Sequence, residues 1–132
     1  MAIILLFSII SLFSPQLKIE NAWMRTASRG MNSALYFDIN NGTNKDDELI
    51  GVDSDIAKVV QLHETYRQGE NMGMRKVDSI LVKRKSTFHL SEGGFHVMVI
   101  RLKEELKAGD KKIFTLTFRH LGKVKITAIV KN

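Results

Sequence analysis

Four residues could act together on a soft metal ion: His63, Met74, His96 and Met98. His96 and Met98 lie two apart in FHVMVI, Phe95 to Ile100, a segment that alternates like a strand. Side chains i and i+2 of a strand share a face, so an imidazole and a thioether emerge side by side there. His63 closes the run AKVVQLHE, and Met74 follows the stretch GENMG. If their strands or loops meet the His96–Met98 pair, two imidazoles and two thioethers make a four-coordinate site. Thioether is a soft, neutral donor that favours Cu(I), whereas zinc prefers thiolate, imidazole or carboxylate. Taken singly, each residue has a plainer reading, since a strand Met is usually flexible core filler. Met24 and Met31 are read as core or rim, and Met72 as a supporting residue beside Met74.

Composition narrows the chemistry. None of the 132 residues is a cysteine, which excludes disulfides, a thiol nucleophile and the usual cysteine-containing blue-copper centre. Twenty Lys and Arg against fourteen Asp and Glu leave a net charge of +6. That suits acidic partners or lipid headgroups. The run Lys83–Arg84–Lys85 has no interleaved aromatics, so it reads as a solvated turn and not as a nucleic-acid surface. His63-Glu64-Thr65-Tyr66-Arg67 begins like H-E-x-x-H but ends in Arg67, so the metallopeptidase helix signature fails. No Ser/His/Asp order and no phosphate-binding glycine loop stands out, and the chain reads as a non-enzyme.

The elements that must position these residues are short strands. Ser33 to Asn40, Glu48 to Val52, Ala57 to Glu64, the MRKV run from Met74, Ser79 to Val82, and Thr87 to Leu90 carry strand character. Phe95 to Leu102, Ile113 to Phe118 and Val124 to Val130 complete the series, with turn signals such as Asn41-Gly42 and Gly93-Gly94 between them. LKEELK, from Leu102 to Lys107, is the one candidate for a helical turn. Such spacing indicates an all-β sandwich or small Greek-key barrel. Before it, residues 1–17 hold the apolar run IILLFSIISLF, the length of a signal-peptide core and short of the roughly 20 residues of a membrane-spanning helix. We read 1–17 as a hydrophobic leader, either a secretory signal or an anchor, and 18–132 as one folded domain. An ordinary hydrophobic first strand is the alternative.

The order His63, ten residues, Met74, twenty-one residues, His96, one residue, Met98 resembles the H-x10-M-x21-H-x-M signature of the PCu(A)C family of periplasmic copper chaperones. The flanks are similar too: Asn21-Ala22-Trp23-Met24-Arg25, Ala34-Leu35-Tyr36-Phe37, Leu62-His63-Glu64, Gly93-Gly94-Phe95-His96-Val97-Met98 and Leu106-Lys107-Ala108-Gly109-Asp110. The resemblance implies a cupredoxin-like β-sandwich that binds one Cu(I) per chain through His63, Met74, His96 and Met98. It further implies a monomer in the periplasm or another extracytoplasmic space, in transient proximity to a membrane or held there by the leader. Its partners would be copper donors and acceptors, with subunit II of a terminal oxidase and its binuclear copper centre as the recipient. A metal-free β-sandwich binding module or oxidase assembly factor stands as the alternative, with a copper-dependent enzyme behind it.

Overall fold

The computed structural model describes residues 16–132, so most of the leader lies outside the described residues. The described residues form ten strands: β1 (Leu17–Arg25), β2 (Ser33–Asn41), β3 (Asp47–Asp53), β4 (Ala57–Gln68), β5 (Asn71–Lys76), β6 (Ile80–Val82), β7 (Ser86–His89), β8 (Phe95–Leu102), β9 (Lys111–Phe118) and β10 (Gly122–Lys131). No helix occurs among the described residues. The sheet runs β5-β4-β8-β2-β1-β10-β9-β3-β6, with β7 added to β2. Among the described residues, only the β1–β10 pair is parallel. The sheet curls until β3 packs against β4, and these two strands form no ladder, so the cupredoxin-like sandwich stays open along that seam.

Alternation decides what fills the interior. On β9, Phe114, Leu116 and Phe118 point inward, and on β8 Val97 and Val99 do, all essentially inaccessible. They meet Leu35, Phe37 and Ile39 of β2, Leu49 of β3 and Val130 of β10 in one continuous core. Burying large apolar side chains contributes roughly 1.5–3 kcal/mol each, which is what holds the two halves of the curled sheet together.

Three local features differ from the sequence reading. LKEELK is not helical: Leu106 is buried and bridges Ala27 in extended pairing, so tertiary pairing overrides the helical propensity of Lys and Glu. The GENMG stretch is also largely strand. Gln68 pairs with Asn71, leaving a two-residue turn at Gly69-Glu70, and Met72 and Gly73 already belong to β5. Finally, β1 is a strand whose alternation is hidden by a bulge between Glu20 and Trp23. Leu17 and Ile19 are partly buried before it, Ala22 is partly buried within it and Met24 is fully buried after it, so the inward phase switches from odd to even. The bulge is held at Asn21, whose φ of 56° is in the left-handed region and whose amide donates to Asp38 Oδ2 at 2.8 Å. Asn tolerates that conformation better than most residues. The switch turns Trp23 and Arg25 to the outer face.

Candidate metal centre

The site is built on the outer face of β5, β4 and β8. In the β4–β8 ladder His63 stands directly opposite His96, and Gln61 opposite Met98. In the β4–β5 ladder Met74 stands opposite Thr65, one step diagonally from His63. Directly opposed residues project to the same side of a sheet, so His63, His96, Met98 and Met74 share one face. Their neighbours Val97 and Leu62 face the core. The two imidazole centroids are 5.8 Å apart. Met98 is partly buried beside them, while Met74, on the edge strand, is 57% exposed.

His96 is the most enclosed of the four, at 3% exposure. The β7–β8 connection folds across it: Leu90 N–H donates to the Phe37 carbonyl, and Ser91 to that of Phe95. Gly93, with φ 81°, supplies the left-handed turn that brings the Gly94 carbonyl to His96 Nδ1 at 3.2 Å. Arg25 of β1 pins this connection by an ion pair with Glu92. On the other flank, Tyr36 packs between Trp23 (centroids 4.9 Å apart) and His96 (6.4 Å). A row of aromatic rings thus shields the site from the β1 side.

Each histidine has one engaged and one free ring nitrogen. His63 Nε2 lies 3.0 Å from Gln61 Oε1, and its Nδ1 is buried with no partner. His96 Nδ1 is held by Gly94, and its Nε2 is likewise buried with no partner. Buried polar atoms nearly always find partners, so two orphans on one patch call for an occupant. Burial, the neighbouring His96 and Lys76 all push the His63 imidazole below its usual pKa, which keeps its free lone pair unprotonated at neutral pH. Glu64 points to the opposite face, where it pairs with Arg75 at 2.6 Å. Among the described residues, no three His, Cys, Asp or Glu side chains gather as a hard-ion site. The two unpartnered imidazole nitrogens and the two thioether sulfurs on this face make a donor set suited to a soft ion.

The remaining candidates disperse. Met24 is fully buried core, and Met31 is exposed at the far end of the sheet. His89 lies 2.6 Å from Asp38 through Nδ1, and His120 sits in the β9–β10 turn. Met72 shares the face of Met74 but is one step further out, with its sulfur 3.4 Å from an Arg67 guanidinium nitrogen. The sequence reading passed over Gln61 as a site residue, although its i−2 position to His63 on a strand was the available signal. Gly94 carried none, because its role is that of a backbone carbonyl.

Comparison with known proteins identifies the family and the fold. A family model described as "Putative lipoprotein LpqE-like" matches residues 17–130. "Putative lipoprotein Lxx21020" of Leifsonia xyli is 34% identical over 76% of the chain, and "Uncharacterized protein RP573" of Rickettsia prowazekii is 36% identical over 66%. The chain spans only 61% and 48% of those two proteins. Among solved structures, the copper-bound PCuAC domain from PmoF2 superimposes with a TM-score of 0.74 at 28% identity, covering 90% of this chain and 96% of that domain. The word lipoprotein is said of those relatives. By its sequence match and its fold together, this chain belongs to the LpqE-like family of PCuAC domain proteins.

Proposed function

We propose that this protein is an extracytoplasmic copper chaperone that binds one Cu(I) through His63, Met74, His96 and Met98. The observation that carries the reading is the pair of buried, unpartnered imidazole nitrogens on one sheet face with two thioethers. The copper-bound state of the PmoF2 domain supports the same cargo. Cu(I) favours such neutral soft donors, and a carrier needs a site open on one side. Met74 provides that opening, because it is exposed on an edge strand while His96 is walled in. Transfer then proceeds by ligand exchange. An acceptor's donor atom enters at the Met74 side as a chaperone ligand leaves, so the ion does not pass through water.

The recipient we propose is the binuclear copper centre of a terminal oxidase. Positive charge on the site face would orient an acidic acceptor. Arg75 is already paired with Glu64 and stacked 4.9 Å above Tyr66, which leaves Lys76, opposite His63, as the exposed cation nearest the site. The test is an anaerobic Cu(I) competition titration of the wild type against alanine variants at His63, Met74, His96, Met98 and Met72. One equivalent should bind with no turnover. The first four variants should bind much more weakly, and Met72→Ala should keep full stoichiometry. Wild-type protein that binds no Cu(I) would leave the metal-free binding module as the correct reading. Equal losses for Met72→Ala and Met74→Ala would put the wrong methionine in the site.

A further inference from the structure

The two histidines of the site are held by different ring nitrogens, and the difference is written into the β4–β8 ladder. Gln61 and His63 are i and i+2 on β4, so both project toward the site face. The Gln61 amide oxygen sits 3.0 Å from His63 Nε2. With the amide oxygen facing the ring, an acceptor only, Nε2 carries the hydrogen and donates it, and in the neutral ring Nδ1 then keeps the lone pair. That Nδ1 is the buried atom without a partner. Across the ladder the arrangement is reversed. The Gly94 carbonyl, also an acceptor only, lies 3.2 Å from His96 Nδ1 and leaves Nε2 free, again buried without a partner.

We infer that Gln61 is a positioning residue: it holds His63 in the Nε2–H tautomer, so that His63 binds the metal through Nδ1 while His96 binds through Nε2. The proposal rests on the copper-binding reading above. The two imidazoles are directly opposed on neighbouring strands, with centroids 5.8 Å apart and rings inclined at 52°, and each keeps one buried, unpartnered nitrogen, Nδ1 on His63 and Nε2 on His96. Outer partners of this kind fix ring orientation and raise ligand basicity.

The two supports also differ in kind. His96 is held by a backbone carbonyl in a pinned connection, and no side-chain substitution removes that acceptor. His63 is held by a side chain that is itself only partly buried. His63 is therefore the histidine whose orientation a single substitution can release.

Long-range proton–nitrogen correlation NMR on the apo full chain at pH 7.5 reads the tautomers directly. Wild type should show His63 protonated at Nε2 and His96 at Nδ1. Gln61→Leu, which keeps the bulk but removes the acceptor, should lose the single His63 tautomer and leave His96 unchanged. Gln61→Glu retains an acceptor and should retain the Nε2–H form. In Cu(I) competition, Gln61→Leu should bind about 10–100-fold more weakly, the usual effect of losing such a support, and Gln61→Glu should stay within that loss. A wild-type His63 protonated at Nδ1 would overturn the proposal, as would a Gln61→Leu protein with unchanged tautomer and affinity. If wild type binds no Cu(I), the chaperone reading fails. The apo spectra would then still decide whether Gln61 sets the tautomer. A Gln61→Leu variant that does not fold leaves the wild-type and Gln61→Glu spectra to decide.

Discussion

At the residue scale the proposed site divides two jobs between nitrogen and sulfur. The imidazoles are oriented and partly or fully buried, and they can serve copper in either oxidation state or zinc. The thioethers bring softness, and one of them brings access. Replacing Met74 and Met98 together with Leu keeps the apolar bulk and should alter folding by less than about 1.5 kcal/mol. Cu(I) affinity should fall steeply, because His63 and His96 alone cannot fill a four-coordinate site. Residual Zn(II) binding should change much less, since a neutral thioether is a poor donor to a harder ion. Melting temperature with parallel Cu(I) and Zn(II) competition titrations checks this. Unchanged Cu(I) affinity would remove the methionines from the site, and a large drop for both metals in a folded variant would make them wall rather than ligand.

The β4–β5 hairpin is where one element carries two unrelated surfaces. Its outer face bears His63 and Met74, and its other face bears Glu64, Tyr66, Gly73 and Arg75. Gly73 is there because Tyr66 lies across it: a Cβ would come within 2.7 Å of the Tyr66 hydroxyl and 2.8 Å of the adjoining ring carbon. Gly73→Ala must push that ring out from under Arg75. The expected cost is about 0.5–1 kcal/mol, the worth of an exposed cation–π contact, seen as a small drop in denaturant midpoint. Cu(I) affinity should stay close to wild type, because the disturbed ring is on the side away from Met74. An affinity loss as deep as that of Met74→Ala would show that the hairpin's two faces do not act separately.

For the whole molecule, the curled sheet sets the site well away from the start of β1. β1 enters at Leu17 and reaches Trp23, level with Tyr36 and the site, six residues later, about 20 Å along an extended strand. A segment held at a membrane would therefore leave the metal face free to meet a partner. Among the described residues no helix is long and apolar enough to cross a membrane. We expect a tagged full chain to be translocated across a membrane, with a cleaved form beginning between about Ser14 and Asn21. Cell fractionation with N-terminal sequencing checks this, and recovery from the cytosol alone would overturn it.

Much of the architecture was legible without coordinates, because strand alternation and turn chemistry are local. FHVMVI already implied that His96 and Met98 share a face and that Val97 and Val99 share the other, and the four-residue spacing with its flanks was enough to suggest the family. Ladder register was not legible. That His63 pairs with His96, and that Met74 lands one step away on an edge strand, depends on how β4, β5 and β8 align, and no single strand encodes that. The β1 bulge escaped because it reverses the very periodicity by which a strand is recognised. The LKEELK turn escaped because Leu106 is claimed by Ala27, far away in sequence. Which nitrogen each imidazole leaves free was decided last of all, by a neighbour's amide on one strand and a backbone carbonyl in a turn. Residue types limit which donors exist, but only the folded arrangement of acceptors determines where their hydrogens sit.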